Sequence, residues 1–215
     1  LSACGALRVI EVEERDPDLV AFGVDPLRLL TSPAPTDRAA VMFTSGTTGV
    51  PKGVEVTQAN YAFAGRTMAA AAGLDETDRQ LVVLPLFHAN AQYYSFAASI
   101  WAGASVALMS SFTASGFLGQ AARHEATTAS LFAAPMRMIL ARGRPVDDLR
   151  LRQCWFAQNL GVEQYETISG WFGCRPRQLY GMTETIPAVL TEEAEKPEPL
   201  SMGMVTEGCL VDVQR

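Results

Sequence analysis

Residues 44–53 are the feature that most constrains this chain of 215 residues, because they combine three glycines, four hydroxyl side chains and one lysine. An apolar run, residues 39–43, precedes them and predicts a buried strand. Glycines let the backbone turn tightly and approach a ligand closely. Hydroxyls and successive backbone N–H groups can surround an anion, and Lys52 adds a mobile charge suited to phosphate. The sequence therefore predicts a strand that ends in a polyphosphate-binding loop.

This loop differs from a Walker loop, which ends in Gly-Lys followed by Ser or Thr. Here Pro51 precedes Lys52 and Gly53 follows it. Composition alone would favour an ordinary surface linker, which is also rich in glycine, serine and threonine. The phosphate-loop interpretation therefore depends on the order of the residues.

Strand-like and helix-like segments alternate along the rest of the chain, which predicts an α/β fold. We expect a doubly wound, mostly parallel sheet with helices on both faces. Ligands of such folds bind at the carboxyl ends of strands, where we place the phosphate loop, residues 87–88 and residues 180–181. The predicted strands are 7–12, 39–43, 54–57, 80–85, 104–109, 127–133, 153–157 and 178–180, and the predicted helices are 58–72, 91–101, 115–124, 135–141 and 162–172.

Charge and cysteine usage narrow the class of protein. The net charge of −6 and the lack of a basic cluster argue against nucleic acid or an anionic membrane as the main partner. Four scattered cysteines without C-x-x-C are typical of reduced thiols in a cytoplasmic protein. No charged residue lies between His88 and Arg123, but polar residues and glycines interrupt this stretch, so we expect no membrane span.

A second group of candidate ligand-binding residues follows the last predicted strand, where residues 180–184 read Tyr-Gly-Met-Thr-Glu. An aromatic ring can stack on a base, and a hydroxyl can bind a phosphate. A carboxylate can hold Mg²⁺ together with phosphate oxygens and water. Taken alone, these five residues are more typical of a simple turn between a strand and a helix.

Together and in this order, the two motifs resemble the phosphate loop and the Y-G-x-T-E segment of the adenylate-forming superfamily. That superfamily includes acyl-CoA synthetases, luciferases and the adenylation domains of peptide synthetases. The resemblance implies an ATP-dependent carboxylic acid–CoA ligase, which forms an acyl-adenylate, releases pyrophosphate and transfers the acyl group to coenzyme A. The run Thr-Glu-Thr-Ile at residues 183–186 resembles, more narrowly, the carnitine/crotonobetaine–CoA ligase branch.

The resemblance also implies roles for individual residues. Thr183 would contact the α-phosphate, Glu184 would bind Mg²⁺ and Tyr180 would lie against adenine. The implied catalytic residues are Lys52, His88, Thr183 and Glu184. The implied nucleotide-binding residues are Thr44, Ser45, Gly46, Thr47, Thr48, Gly49, Lys52, Gln158, Asn159, Leu160, Tyr180, Gly181, Met182 and Thr183.

The chain departs from the family at the turn that shapes the adenine pocket. The family usually has a glycine-rich turn similar to G-G-A-P-L, and here residues 156–160 read Phe-Ala-Gln-Asn-Leu. Gln158 or Asn159 could still bind the adenine amino group through side chain or backbone. The lost glycines affect either the orientation of the base or the close approach of ATP.

His88 lies just after the predicted strand 80–85 and is one of two histidines in the chain. A lone histidine is often structural, but acyl-CoA synthetases have a histidine or aromatic residue here that lines the acyl pocket. Peptide-synthetase domains tend to have an aspartate at this place, which pairs with the substrate amino group. His88 therefore argues against an α-amino acid substrate.

The resemblance divides the chain into three expected regions. Residues 1–38 form a lead-in strand and a proline-rich connection, residues 39–190 an ATP- and acyl-binding core, and residues 191–215 an acidic loop and the start of a β subdomain. We expect a piece of a longer enzyme, without its C-terminal lid domain. The implied partners are a small carboxylic acid, ATP and CoA, and homodimers are common in the family.

Three alternatives stay open at this point. One is an aryl- or amino-acid-activating domain of the same superfamily. The second is a non-catalytic module that binds a nucleotide or an acyl-adenylate. The third is an interaction domain that has kept only the fold.

Overall fold

The computed structural model describes residues 32–44, 50–193 and 195–212. By its contacts the chain divides after residue 33, and the fold described here is that of the second unit, from Ala34 onward. The predicted strand at 7–12, most of the connection that follows it and the loop residues 45–49 lie outside the described residues.

Strands and helices alternate in the described part of the chain. Its strands are β1 Arg38–Thr44, β2 Lys52–Thr57, β3 Arg79–Val82, β4 Ser105–Leu108, β5 Thr128–Phe132, β6 Gln153–Ala157, β7 Arg177–Tyr180, β8 Leu190–Thr191 and β9 Met204–Val205. Its helices are α1 Gln58–Ala72, a π-helix Asn90–Ala97 that continues as α2 Ala98–Ala102, α3 Phe117–Arg123, α4 Ala133–Arg142, α5 Val162–Phe172 and a 3₁₀ turn Thr183–Thr185.

The main sheet has the strand order β4-β3-β5-β6-β7-β8-β9. Strands β3 to β7 pair in parallel, whereas β8 and β9 extend the edge in antiparallel pairs. Successive side chains of a strand point to opposite faces of its sheet. In β6, Cys154 and Phe156 join a core with α3, α4 and α5, while Trp155 joins a core with α1 and the π-helix. Helices thus cover both faces of a mostly parallel sheet, as predicted.

Helix α1 has the ends that its sequence predicts. The Thr57 hydroxyl accepts a hydrogen bond from the Asn60 backbone N–H at 3.2 Å, and the Asn60 side chain accepts one from the Thr57 N–H at 2.9 Å. This reciprocal pair of hydrogen bonds satisfies backbone N–H groups at the start of the helix, which have no acceptor within the helix itself. Gly73 ends the helix with a φ of 56°, a left-handed conformation that favours glycine.

The apolar run before the phosphate loop predicts a buried strand of the mostly parallel sheet. The structure differs from this prediction on both points. Strand β1 pairs antiparallel with β2 in a separate two-stranded sheet. Only one of its faces packs on the core, so Met42 is buried while Val41 and Phe43 are 41% and 73% exposed. The run is apolar on both faces, and it therefore does not reveal from sequence that one face is exposed.

Asp78 connects the loops at the amino ends of the parallel strands. Its carboxylate accepts hydrogen bonds from the Thr127 hydroxyl at 2.7 Å and from Arg152 Nε at 2.9 Å. Its backbone carbonyl accepts one from the Ser105 N–H at 3.0 Å. The starts of β3, β4, β5 and β6 are thus held together at the edge opposite the carboxyl ends.

Within the described residues, no helix combines the length and the apolar composition that crossing a membrane requires.

Candidate active site

The phosphate loop connects the two strands of the β1–β2 hairpin. Thr44, the last residue of β1, pairs with Lys52, the first residue of β2. Both ends of the loop are therefore held side by side, and the Lys52 side chain is exposed. Five of the predicted nucleotide-binding residues, 45–49, lie outside the described residues, and their role stays a prediction.

The second motif begins where β7 ends. Tyr180 is the last residue of β7 and is 47% exposed, and Glu184 lies in the exposed 3₁₀ turn that follows. The Thr185 hydroxyl accepts a hydrogen bond from the Met182 N–H at 2.9 Å and lies 3.1 Å from the Pro187 carbonyl oxygen. This short turn places the Glu184 carboxylate at the carboxyl edge of the main sheet.

Tyr93 connects the surroundings of the two motifs. Its hydroxyl donates a hydrogen bond to the sulfur of Met42 at 3.0 Å, and Met42 lies in β1 two residues before Thr44. Burial is the main cause that raises the pKa of Tyr93, and the negative charge of Glu184 is one of the neighbouring charges that raise it further. The neighbouring Tyr94 approaches the second motif, since its hydroxyl lies 3.0 Å from the place that a Cβ on Gly181 would occupy.

Residues 156–160 take the place of the family's glycine-rich adenine turn. They keep a backbone conformation that glycine favours. Gln158 has a φ of 72°, which few residues other than glycine adopt without cost. The Asn159 side-chain oxygen accepts a hydrogen bond from Gln178 Nε2 at 3.1 Å, and the Asn159 carbonyl accepts one from Arg137. Leu160 is 1% exposed in the core, so its backbone rather than its side chain could meet a nucleotide.

His88 lies in the turn between β3 and the π-helix. Strand β3 ends at Val82, earlier than predicted, and the chain turns at Pro85, whose carbonyl accepts a hydrogen bond from the His88 N–H at 3.0 Å. The His88 ring is exposed and leans on Phe87, with 4.5 Å between ring centroids. His88 is thus available to a ligand, and no side-chain hydrogen bond from the described part of the chain fixes its ring.

The donor set fits a magnesium ion that is held mainly by a nucleotide. Among the described residues, no group of three or more His, Cys, Asp or Glu side chains is arranged to hold a metal. Mg²⁺ is usually bound by one or two carboxylates together with substrate phosphates and water. An exposed carboxylate at Glu184 meets that requirement only if phosphate oxygens supply the other ligands.

A cavity of about 740 Å³ lies elsewhere, between α1 and the helical segment 90–102. Tyr61, Leu86, Gln92 and Trp101 are among its lining residues, and none of the predicted site residues that the structure describes is. The candidate nucleotide site and this cavity are therefore different places on the molecule.

The structure identifies residues that the sequence did not single out. Met42, Tyr93 and Tyr94 lie beside the two motifs, and Gln178 holds the Asn159 side chain. Gln178 itself is buried, and among the described residues its Oε1 has no hydrogen-bond partner. No local pattern marks these four residues in sequence, because their contacts join positions that are far apart along the chain.

Known proteins resemble this chain over most of its length. A sequence model of the family described as AMP-binding enzyme matches residues 7–214. A crotonobetaine/carnitine–CoA ligase of Salmonella arizonae is 36% identical over 188 residues, which make up 86% of this chain and 35% of that protein. The same ligase of Escherichia coli O157:H7 is 36% identical over 72% of this chain and 30% of that protein. The predicted resemblance to this branch is confirmed.

Solved structures agree with the fold. An o-succinylbenzoate coenzyme A synthetase of Bacillus subtilis, in complex with ATP and magnesium ion, matches with a TM-score of 0.71 and 30% identity, over 85% of this chain and 38% of that one. The chain thus spans about a third of the length of the relatives it matches. Since the family match runs from residue 7 to residue 214, the chain belongs to the AMP-binding enzymes.

Proposed function

We propose that the complete protein containing this chain is an AMP-forming carboxylic acid–CoA ligase. Its substrates would be a small carboxylic acid, ATP with Mg²⁺, and coenzyme A. The observation that supports this most is a series of contacts between the two motifs. Tyr93 donates to Met42 in the strand entering the phosphate loop, its ring centroid lies 6.5 Å from that of Tyr94, and the Tyr94 hydroxyl lies 3.0 Å from where a Cβ on Gly181 would be. The two motifs that would hold ATP are thereby related in space, although residues 54–179 separate them along the chain.

In the first step, a carboxylate oxygen of the acid attacks the α-phosphorus of ATP, the bond to the β-phosphate oxygen breaks, and pyrophosphate leaves. The protein must align these groups and stabilise the charge that develops. Lys52 would bind the β- and γ-phosphates, and Thr183 would donate a hydrogen bond to the α-phosphate. A magnesium ion held by Glu184 would neutralise phosphate charge.

In the second step, the thiol sulfur of coenzyme A attacks the acyl carbon, the thiol loses its proton, and AMP leaves. The product is a thioester. We propose that this step also requires the C-terminal lid domain expected from the family, and that residues 39–190 form the core on which the lid acts.

We propose that the acid lacks an α-amino group. His88 takes the place at which amino-acid-activating domains tend to have an aspartate, and a histidine cannot neutralise an ammonium group as an aspartate does. The relatives that act on crotonobetaine or carnitine support an acid with no α-amino group. We further propose a cytoplasmic enzyme, and homodimer formation is a family-based part of the same proposal.

The experiment is a substrate panel on the complete protein. ATP, Mg²⁺ and coenzyme A are incubated with crotonobetaine, carnitine, short aliphatic acids, benzoate, o-succinylbenzoate and several amino acids, and acyl-CoA and AMP are measured by mass spectrometry. We expect equal amounts of acyl-CoA and AMP with a non-amino acid. Aminoacyl-adenylate formation would instead favour an amino-acid-activating domain. ATP binding by calorimetry without pyrophosphate release from any acid would favour a non-catalytic module.

A further inference from the structure

The turn that follows β6 lies between two elements that can hold it from opposite sides. Strand β6 pairs in parallel with β5 on one side and with β7 on the other. Its last residue, Ala157, lies beside Phe132 of β5, and Phe132 leads directly into α4. The start of α4, the turn at 158–160 and the end of β7 are therefore neighbours at the carboxyl edge of the sheet.

Arg137 holds the turn from the α4 side. Its Nη2 donates a hydrogen bond to the Asn159 backbone carbonyl at 2.5 Å. Within the described part of the chain, this guanidinium makes no other hydrogen bond and no ion pair. The one polar partner that these residues offer Arg137 is therefore the backbone of the turn.

Gln178 holds the turn from the β7 side. Its side chain is buried, and its Nε2 donates to the Asn159 side-chain oxygen at 3.1 Å and lies 3.4 Å from the Gln158 carbonyl oxygen. Leu160 is buried as well and anchors the end of the turn in the core. Asn159 is thus held through its side chain by the sheet and through its backbone by Arg137.

The backbone of the turn needs such support. Gln158 has a φ of 72°, in the left-handed region that glycine adopts readily and glutamine rarely does. Such a conformation persists only where the surrounding contacts determine it. The side chains of Gln158 and Asn159 are exposed, so their own packing does not supply those contacts. The hydrogen bond from Arg137 is charge-assisted, hence stronger than one between neutral groups, and it acts on the residue next to the strained one.

We infer that Arg137 is a positioning residue, which holds the Gln158–Asn159 turn in the conformation that a glycine-rich turn adopts without strain. The inference rests on the proposed function, because it takes this turn as a wall of the adenine pocket. Without the guanidinium, Gln158 would leave the left-handed region, and the turn would no longer meet the base in one fixed arrangement. Arg137 acts on the base through the turn and does not contact the nucleotide itself.

The test measures the binding of AMP to the complete protein by calorimetry. AMP lacks the β- and γ-phosphates, so its affinity does not depend on the residues proposed to hold them. Arg137→Met keeps much of the side-chain length but has no hydrogen-bond donor. We expect the dissociation constant of AMP to rise about five-fold, which corresponds to about 1 kcal/mol, a typical value for one hydrogen bond. The preference for AMP over GMP should fall, and the KM of the acid should stay unchanged.

Gln158→Gly supplies the decisive comparison. Glycine adopts a positive φ without strain, so the turn no longer needs the hydrogen bond from Arg137. Gln158→Gly alone and the double variant of Gln158→Gly with Arg137→Met should both bind AMP within about two-fold of the wild type, because the two substitutions are coupled. The double variant should therefore bind AMP more tightly than Arg137→Met alone. A guanidinium that contacted the phosphate of AMP directly would give no such rescue.

Arg142→Met is the matched control. Arg142 is an exposed arginine at the end of the same helix, and it makes no hydrogen bond or ion pair with any residue that the structure describes. This variant should change neither the affinity for AMP nor the preference over GMP. Arg137→Lys, which keeps the charge and a donor, should lose less affinity than Arg137→Met.

The possible results separate this inference from the proposed function. An unchanged AMP affinity in Arg137→Met, or a double variant that binds no better than Arg137→Met, would overturn the role of Arg137. If Arg137→Met does not fold, Arg137→Ala decides by the same comparison with Gln158→Gly. If the wild type binds AMP but makes no acyl-CoA, the proposed function fails while the AMP comparison still decides the role of Arg137. A wild type that makes acyl-CoA but binds AMP and GMP equally well would overturn the inference alone.

Discussion

The Tyr94 hydroxyl lies 3.0 Å from the place where a side chain on Gly181 would begin, and Ala188 Cα lies 2.9 Å from it on another side. Contacts this short leave no room for a Cβ. Gly181 does not have a left-handed φ, unlike Gly173 or Gly73. The close approach of neighbouring groups, and not an unusual backbone conformation, therefore requires glycine in the second motif.

Gly181→Ala should consequently destabilise the protein and displace the residues that follow. Overpacking of a tight site typically costs about 1–3 kcal/mol, which denaturant unfolding would measure. Mg·ATP binding should weaken as well, because Thr183 and Glu184 lie directly downstream. Gly170→Ala in α5 is the control, since an added Cβ there meets nothing within 4 Å. Equal stability of Gly181→Ala and the wild type would show that the segment has room to relax.

Glu184→Gln should affect metal dependence far more than folding. The side chain is exposed in a 3₁₀ turn, so its charge contributes little to stability. Loss of the carboxylate should raise the Mg²⁺ concentration needed for half-maximal pyrophosphate release and lower the maximal rate by about 10²-fold, the typical cost of losing one preorganised charge-stabilising group. Glu163→Gln, an exposed glutamate in α5, should change neither quantity. A well-folded Glu184→Gln enzyme with normal Mg²⁺ dependence would remove Glu184 from the metal site.

Lys52→Ala should impair adenylation while the protein stays folded. The side chain is exposed at the start of β2, and its backbone pairing with Thr44 does not depend on the ammonium group. A charge-assisted contact with phosphate is worth about 1.5–3 kcal/mol, so kcat/KM for ATP should fall at least ten-fold. Lys196, the other lysine of this chain, provides the control Lys196→Ala. A normal ATP dependence in Lys52→Ala would contradict the phosphate-loop assignment.

Gln158→Gly separates the roles of side chain and backbone in the adenine turn. Gln158 has a φ of 72°, which glycine adopts without strain. We expect the KM of ATP to change less than two-fold, because the substitution preserves the turn and leaves Asn159 held by Gln178. Measuring the KM of ATP and of GTP tests this. A large rise in the KM of ATP alone would show that the Gln158 side chain reads the base.

Asp78→Asn should destabilise the sheet without affecting the site. Burial acts to raise the pKa of Asp78, but hydrogen bonds from Arg152 and Thr127 outweigh it and hold this pKa below its ordinary value. The charged form therefore contributes stability at neutral pH, and that contribution disappears as the pH falls from the ordinary value of 3.8 toward the lower folded-state value.

At pH 7 we expect Asp78→Asn to lose about 2–3 kcal/mol of unfolding free energy, below the usual cost of breaking a buried ion pair because Arg152 is partly exposed and can be solvated. The Arg152 side chain is 42% exposed. Urea unfolding between pH 3 and pH 7 should show a smaller loss of stability in acid for the variant than for the wild type. Parallel pH profiles would exclude Asp78 as the titrating group.

The sequence predicts the elements that carry local signals. Thr57 and Gly73 bound α1 as expected, and Gly161 and Gly173 bound α5. Strand β6 also has its predicted bounds. The β1–β2 hairpin and the π-helix escape prediction. An apolar run does not reveal which face is exposed, and the apolar pattern of 91–101 does not distinguish a π-helix from an α-helix.

The candidate site was predictable as two motifs but not as one assembly. Residues 44–53 and 180–184 carry recognisable chemistry, and the contacts that relate them come from Met42, Tyr93 and Tyr94. The Tyr93–Met42 contact joins positions 51 residues apart. Such a contact depends on the packing of the π-helix against α1 and leaves no periodic signal in the sequence.

ATP–pyrophosphate exchange in the complete protein, measured with and without a carboxylic acid, tests the ligase assignment most directly. We expect exchange that requires both the acid and Mg²⁺, and that falls about 10²-fold in both Lys52→Ala and Glu184→Gln. Exchange that is equally fast in the wild type and in both folded variants, or no exchange with any acid in the panel, would contradict it.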